Sequence, residues 1–435
     1  MRVLIVSHNL ISQTSNMGKT LRAYFRDFSL DEVAQFYIHS EVPVDDSVCV
    51  NYYRFTDVDA LRSILLPGSR GQHFGPGDVR KDRLSSRTDS GTLTEVYRAG
   101  RRRKPWTYLA RSLVWKLSRW DNRQLWAWVE DFSPDVIFFA SGDYGFMYDV
   151  ARKIAEHVNK PLVVNCVDDY YLCNRNKDSL SGRLQHRRFM DTVYKTAARS
   201  SELFVICGSM QREYEKLFGK PCRVLHTAAE SRRAHLSEDP KGIAYLGNMA
   251  GERNVQLAHM GRALRRIAAE DLPDHIDVYS EEQSPDRLAG LTPENGICFH
   301  GAVSAEQVSR IMEESLAVIH TESFEKSDNI RYSVSTKIAD SLMNGPCIIA
   351  YGPEGIASID YLKENRAAYV ITDPEKLETG LREILTDGQL RAQIVQNARD
   401  LAKKNHDPQT NPARVRAWLE EVCENWKKDG SGEEV

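Results

Sequence analysis

The sequence has no apolar run near the roughly 18 residues that a bilayer crossing needs; its strand-like runs stop at five or six. It has no C-x-x-C pair among its eight cysteines (49, 166, 173, 207, 222, 298, 347 and 423), most of which sit in or beside apolar runs such as FVIC and GPCIIAY. That pattern argues against a disulfide framework or a structural zinc site and points to reduced thiols in the cytoplasm. Neither charge is in excess. Lys and Arg number 58 against 61 Asp and Glu, a formal net charge of −3, without the broad basic field of a nucleic-acid binder. The opening segment MRVLIVSHNL is apolar only over VLIV and lacks a small-residue cleavage site, so it reads as a first strand and not a signal peptide. What is present is a 435-residue chain, 41% hydrophobic and 27% charged, a composition that suits two soluble globular domains.

Strands and helices alternate along it. Strands are expected at 2–7, 33–38, 135–140, 161–166 and 203–207 in the first half, with a helix over about 18–28. In the second half they are expected at 242–247, 276–280, 296–301, 316–320, 347–352 and 367–371. The runs are continuously apolar, as in parallel strands covered by helices on both faces. The predicted fold is α/β: two doubly wound, Rossmann-like parallel-sheet domains facing each other across a cleft. The expected boundaries are 1–226 for the first domain, 227–241 for a polar linker, 242–407 for the second domain and 408–427 for a closing helix. In that helix Ala413, Val415, Trp418, Val422 and Trp426 fall at helical spacing.

Residues 68–104, rich in Gly, Ser, Arg and Asp, break the alternation and read as a long mobile insertion. It runs into a basic segment, 105–123, in which Trp106, Leu109, Leu113 and Leu117 share helical spacing and Trp115 and Trp120 lie close by. From Arg98 to Arg123 there are nine basic residues, among them Arg101, Arg102, Arg103 and Lys104, and one acid, Asp121. A basic, Trp-bearing amphipathic helix suits peripheral contact with an anionic inner membrane face; an ordinary core helix with a solvated basic face is the alternative.

The strongest local signal is STKIADSLMNGPCIIAYGP (335–353). Ser335 and Thr336 cap a helix, Gly345 ends it and Pro346 forbids its continuation. Lys337 in the first turn opposes the helix macrodipole, but hydroxyls, free amides and a lysine together make a cradle for a diphosphate. Asp340, one turn on, is placed for ribose hydroxyls. In YLGNMAGER (245–253) Gly247 ends a strand and Arg253 opens the next helix, where it could clamp the same diphosphate. In IHTESFEKSDN (319–329) Glu322 follows a parallel strand, where open α/β sheets bind ligands. On the other domain GKT at 18–20 lacks the Gly at 13 that a Walker A loop requires, although Gly18 still allows backbone amides to approach a phosphate. Asp168 and Asp169 end another strand, without a further ligand at metal spacing, so no metal is expected.

These features resemble the GT-B superfamily of nucleotide-sugar glycosyltransferases, most closely its group 1 family. There a strand-ending Gly precedes an Arg and, five residues later, a Lys on the donor diphosphate. Gly247 matches, Asn248 replaces the Arg, and Arg253 stands at the Lys position. Glu322-Ser323-Phe324 resembles the family's E-x-F segment, Asp340 stands for the second acid, and Gly345-Pro346 follows. Seventeen residues separate the two acids where the family has seven, which an insertion within EKSDNIRYSVS accounts for. Ser335-Thr336-Lys337 is similar to the Ser/Lys helix start of bacterial polysaccharide enzymes. The family's acceptor-side His-Asp is replaced by Val167-Asp168 or Asp168-Asp169.

The resemblance implies transfer of a sugar, with retention, from a nucleoside diphosphate sugar to a glycan or lipid-linked acceptor in bacterial surface polysaccharide or glycoconjugate assembly. It also implies no metal and no cofactor, the expected donor being a UDP-sugar. Glu322, Lys337 and Asp168 are the expected catalytic residues. Gly18, Gly247, Asn248, Arg253, Ser335, Thr336, Lys337 and Asp340 are the expected donor contacts. The alternatives are a GT-B epimerase or phosphorylase and a non-catalytic sugar-nucleotide-binding subunit.

Overall fold

The computed structural model describes residues 1–13, 16–66, 71–79, 105–172, 179–231, 237, 239–269, 272–325 and 330–430. The chain divides into two units, Met1–Leu225 with Gln409–Val435, and His226–Pro408.

The first unit is built on eight strands: β1 (Val3–Ser7), β2 (Val33–Tyr37), β3 (Asn51–Arg54), β4 (Gln72–Phe74), β5 (Val136–Ala140), β6 (Leu162–Asn165), β7 (Glu202–Val205) and β8 (Cys222–Val224). Their order is β4-β3-β2-β1-β5-β6-β7-β8, parallel throughout except for antiparallel β3–β4. Every residue of β1, β2 and β5 is buried, as continuous apolar runs require when helices cover both sheet faces. The second unit holds β9 (Ile243–Leu246), β10 (Ile276–Tyr279), β11 (Ile297–Gly301), β12 (Ala317–Thr321), β13 (Cys347–Tyr351) and β14 (Tyr369–Ile371). All are parallel, in the order β11-β10-β9-β12-β13-β14. In each sheet the order reverses beside the first strand, between β1 and β5 and between β9 and β12. The space outside the carboxyl ends at such a reversal is where doubly wound sheets bind ligands.

The structure departs from the sequence-based expectations in four places. Residues 71–79 of the supposed insertion 68–104 belong to the fold. β4 adds an antiparallel edge strand, and Phe74 and Val79 enter the first unit's core; two apolar anchors outweigh a polar composition. Residues 80–104, including Arg101–Lys104, lie outside the described residues.

In the basic helix (Pro105–Leu117), Trp115 is the anchor. It is buried against Phe146, with ring centroids 4.5 Å apart, and its Nε1 donates to Asp57 Oδ1 at 2.7 Å. Trp106, Leu113 and Leu117 of the supposed stripe are each more than half exposed.

The described parts of the supposed linker are bonded to the second unit. The amides of Ala229, Ser237 and Lys241 donate to the carbonyls of His406, Glu313 and Glu314 at 2.8, 2.8 and 3.0 Å. A polar segment still has backbone groups to satisfy.

The last helix (Thr410–Gly430) packs in the first unit's core through Val415, Leu419, Val422 and Cys423. Ala413 is exposed; Trp418 packs against the same core and also carries Arg223 at 5.4 Å, and Trp426 carries Arg199 at 4.8 Å. Arg416 of this helix pairs with Glu32 at 2.7 Å. Among the described residues no helix is long and apolar enough to cross a membrane.

Candidate active site

In the second unit, the residues beyond β9 and β12 converge. Gly247 directly follows β9, and a Cβ there would lie 2.4 Å from Tyr245 Oη. Only glycine therefore lets Tyr245 fold back and donate to the Asn248 carbonyl at 2.6 Å. Gly251 and Glu252 then take left-handed φ angles of 71° and 60°. For Glu252 this is a strained conformation of the kind that gathers at functional sites. It starts the helix Arg253–Ile267 with its first side chain turned to β12.

Arg253 uses all three guanidinium nitrogens. Nη2 donates to both oxygens of Glu322 at 2.8 and 2.9 Å, Nη1 to Asn248 Oδ1 at 2.9 Å and Nε to the Thr321 carbonyl at 3.1 Å. Burial works against the Arg253 charge, and Glu322 more than offsets it, leaving the arginine even harder to deprotonate. Asn248, which stands where the group 1 family has an arginine, thus orients the arginine five residues on.

Lys337 approaches from the helix Thr336–Asn344. Ser335 Oγ caps that helix by accepting from the Lys337 amide at 3.4 Å, and no acid lies in its first turn. Lys337 Nζ donates to the Leu246 carbonyl at 3.2 Å, at the carboxyl end of β9. Desolvation first, then the neighbouring Arg253, holds its ammonium below the usual lysine range, while Glu281 and Asp340 pull the other way. Thr336 and Asp340 are exposed on the same helix. Gly247, Asn248, Arg253, Glu322, Ser335, Thr336, Lys337 and Asp340 therefore surround one strand reversal. The site is charge-compensated: Glu322, expected to hold a sugar, is committed to Arg253.

The sequence reasoning missed His320. It is half-buried, with Nε2 3.1 Å from Ser358 Oγ and 3.6 Å from Glu322 Oε1. Burial, then Arg253, lowers its pKa against the pull of Glu322. The one available signal was its position two residues before Glu322 at the end of an apolar run.

The first unit carries a second constellation at its own reversal. Buried Gln35 organises the loop after β1, donating to Ser7 Oγ (2.7 Å) and the Asn9 carbonyl (2.9 Å) and accepting from the Ile11 amide (3.0 Å). The loop presents His8, which bonds Asn9 Oδ1 at 2.6 Å and stacks on Tyr144 with centroids 5.2 Å apart. Arg111 lies 3.9 Å over the Tyr144 ring, donates to Asp57 Oδ1 at 2.9 Å and reaches within 3.4 Å of His8 Nε2. Burial, then Arg111, depresses the His8 pKa to about 4. Tyr108 donates to Asp143 Oδ2 at 2.6 Å beside this group.

None of these residues was singled out from the sequence, and the two sites predicted for this unit lie elsewhere. Gly18 is buried within the helix Asn16–Phe25. Asp168 follows β6, outside the reversal, and its Oδ1 accepts from the Asp169 amide at 2.9 Å. Asp169 is a buried turn residue holding the Tyr171 and Leu172 amides and the Tyr214 hydroxyl, so the acid pair does not act as a pair.

Residues 253–420 match the family model described as glycosyl transferase-like. In fold the chain is similar to Anabaena HepE in complex with UDP, at 11% identity and a TM-score of 0.61, over 97% of this chain and 100% of that one. Sucrose-phosphate synthase from Thermosynechococcus elongatus matches at 10% identity and 0.60, over 97% and 99%. A UDP-forming α,α-trehalose-phosphate synthase from Burkholderia xenovorans matches at 9% and 0.54, over 97% and 100%. No curated protein matches the sequence. The chain has the GT-B fold of these enzymes, and residues 253–420 match the glycosyl transferase-like domain.

Proposed function

We propose that the protein is a glycosyltransferase that moves a sugar from a UDP-sugar to an acceptor hydroxyl, with retention and without a divalent metal. The observation that carries this reading is the placement of Arg253 and Lys337 with a helix N-terminus at the β9/β12 reversal. Breaking the glycosidic bond leaves negative charge on a diphosphate. Lys337 and the helix-end amides face that charge, and Arg253 meets it by exchanging part of its present hydrogen bonding. The diphosphate takes over part of the arginine's hydrogen bonding, which frees Glu322 for the transferred sugar. Asp340 receives the ribose hydroxyls. On the acceptor side the neutral imidazole of His8 works with Arg111 and Tyr144, while the expected Asp168 and Gly18 stand apart from this group. The bound UDP of HepE supports the choice of base.

For the acceptor we favour a lipid-linked glycan of bacterial surface polysaccharide assembly, reached at the cytoplasmic membrane face. Trp106, Leu113 and Leu117 are exposed on the helix Pro105–Leu117. Beside them runs a groove of about 640 Å³ whose lining includes Leu109, Lys116, Lys153, Arg188 and Lys195. Apolar side chains among cations match an anionic lipid surface.

Thermal-shift titration against UDP, UDP-sugars and the corresponding purine compounds tests the donor site, since a ligand at 100 times its Kd adds about 2.7 kcal/mol. UDP compounds should shift the transition, and product analysis should then show sugar transfer that persists in EDTA. Absence of a shift with every nucleotide, or loss of transfer in EDTA, overturns the corresponding part of the reading.

A further inference from the structure

A second cluster of chemically active side chains lies away from the donor site. β10 and the edge strand β11 run parallel with Asp277 opposite Cys298. Side chains two residues apart share a sheet face, so His275 and Asp277 from one segment meet Cys298 and His300 from the other. One ligand atom each from His275, Asp277 and Cys298 lies within 4.8 Å of the other two; His300 stands outside that trio, at the register shift of β11, and reaches it through Asp277. Asp277 Oδ1 is 3.8 Å from His275 Nε2 and 2.6 Å from His300 Nε2. All four are partly exposed, which leaves an ion a path from solvent.

The orientation of His275 is an independent indication. Its Nδ1 is 2.7 Å from Asp274 Oδ1, and a ring N–H donated to that carboxylate leaves the Nε2 lone pair facing Asp277. Carboxylate-oriented imidazoles of this kind are the usual second layer of metal sites. His300 is likewise held, stacked on Tyr279 with centroids 4.7 Å apart. The group sits at the amino-terminal part of β10, whereas the donor residues lie beyond the carboxyl ends of β9 and β12.

We propose that His275, Asp277, Cys298 and His300 form a zinc-binding site on the edge of the second sheet. Two imidazoles, a thiolate and a carboxylate make up a four-coordinate set for Zn²⁺, and one that Mg²⁺ and Ca²⁺, which need oxygen ligands, do not favour. Binding is a closed exchange: the Cys298 thiol gives up one proton to solvent, His275 Nε2 turns its lone pair to the ion, and His300 leaves its hydrogen bond to Asp277 and shifts its ring proton to Nδ1, which frees the Nε2 lone pair. Acid therefore weakens binding. The site pins the edge strand to β10 and has no part in the proposed sugar transfer, so either reading can fail alone.

The test uses the full, tag-free chain, stripped with a chelator and titrated with Zn²⁺ and, separately, Co²⁺. One equivalent of Zn²⁺ should bind. Co²⁺ should give the visible bands of tetrahedral coordination and a thiolate-to-cobalt charge-transfer band. Cys298→Ser should abolish the charge-transfer band and Asp277→Asn should weaken Zn²⁺ binding. Asp274→Asn should weaken it by roughly 10–100-fold through the lost orientation of His275. The metal-free variants should unfold at the wild-type temperature, which separates lost binding from lost folding. Absence of stoichiometric binding, or binding unchanged in both Cys298→Ser and Asp277→Asn, would show the cluster to be only a hydrogen-bonded His–Asp–His chain and would overturn the proposal.

Discussion

The two strand reversals of this molecule use the same architecture in opposite ways. At β9/β12 the principal cation, Arg253, is half-buried and bonded to Glu322, to the Thr321 carbonyl of β12 and to Asn248 after β9, so its charge is matched almost atom for atom. At β1/β5 Arg111 donates to Asp57 and lies over the Tyr144 and Phe146 rings beside the His8 imidazole. The first arrangement resists removal of either partner and suits a site that must hold a dianionic leaving group in place. The second keeps a neutral histidine in a dry, cation-flanked position and suits a site that handles an uncharged hydroxyl.

The largest effect expected is on the compensated site. Arg253→Ala leaves Glu322 buried without its partner and should cost about 3–5 kcal/mol of stability, read from chemical denaturation. Adding Glu322→Leu should recover most of that loss. Recovery would confirm that the single variant suffers from an orphaned charge, and its absence would show that Arg253 does more for the fold than pair with Glu322.

Lys337→Ala should leave the fold intact and lower turnover roughly 100-fold, comparable to losing one oxyanion donor. Near-normal turnover would remove the lysine from the chemistry and with it the contrast between the two sites. Arg111→Ala should lower transfer about 10–100-fold, the loss of a charged hydrogen bond of about 1.5–3 kcal/mol, without altering the donor KM. A raised donor KM would place Arg111 on the wrong side of the comparison.

The buried imidazole sharpens the contrast by pH. His8 is depressed from 6.5 to about 4 in the folded protein, so the unfolded chain takes up the proton first. Its contribution to stability is complete above pH 6.5 and is lost as the pH falls from there through 4. His8→Gln should flatten the denaturation midpoint across that window; an unchanged slope would mean that His8 is not the group responsible. The smallest effect belongs to exposed Asp340, where Asp340→Asn should weaken donor binding by about 1 kcal/mol or less, measured by titration.

Much of the fold was readable because its strands are buried on both faces and so appear as unbroken apolar runs, as in VLIV of β1 or CIIAY of β13. β3, β4 and β8 were not, since three or four residues with polar members among them, as in NYYR, QHF and CRV, make no unbroken apolar run. The donor side was legible where its residues are local: Gly247 to Arg253 share one loop, and Ser335 to Asp340 share one helix end. Its pairing was not, because Arg253 and Glu322 stand 69 positions apart and spacing does not reveal which charges touch. The β1/β5 constellation was invisible for the same reason, being assembled from residues 8, 57, 111 and 144. The acids 168–169 were conspicuous in the sequence, but one of them is occupied in capping a turn. The absence of C-x-x-C has no bearing on metal ligands that alternate along two neighbouring strands, which is how 275, 277, 298 and 300 come to share a face.

The placement of Val415, Leu419, Val422 and Cys423 against the strands of the first sheet has a consequence for biosynthesis. The amino-terminal half leaves the ribosome without one wall of its interior. At about 5–20 residues per second, the intervening unit keeps it waiting for roughly 10–40 s. During that interval the apolar face that the last helix will cover is open to solvent, so the nascent chain is at its most chaperone-dependent while its second unit is still being made.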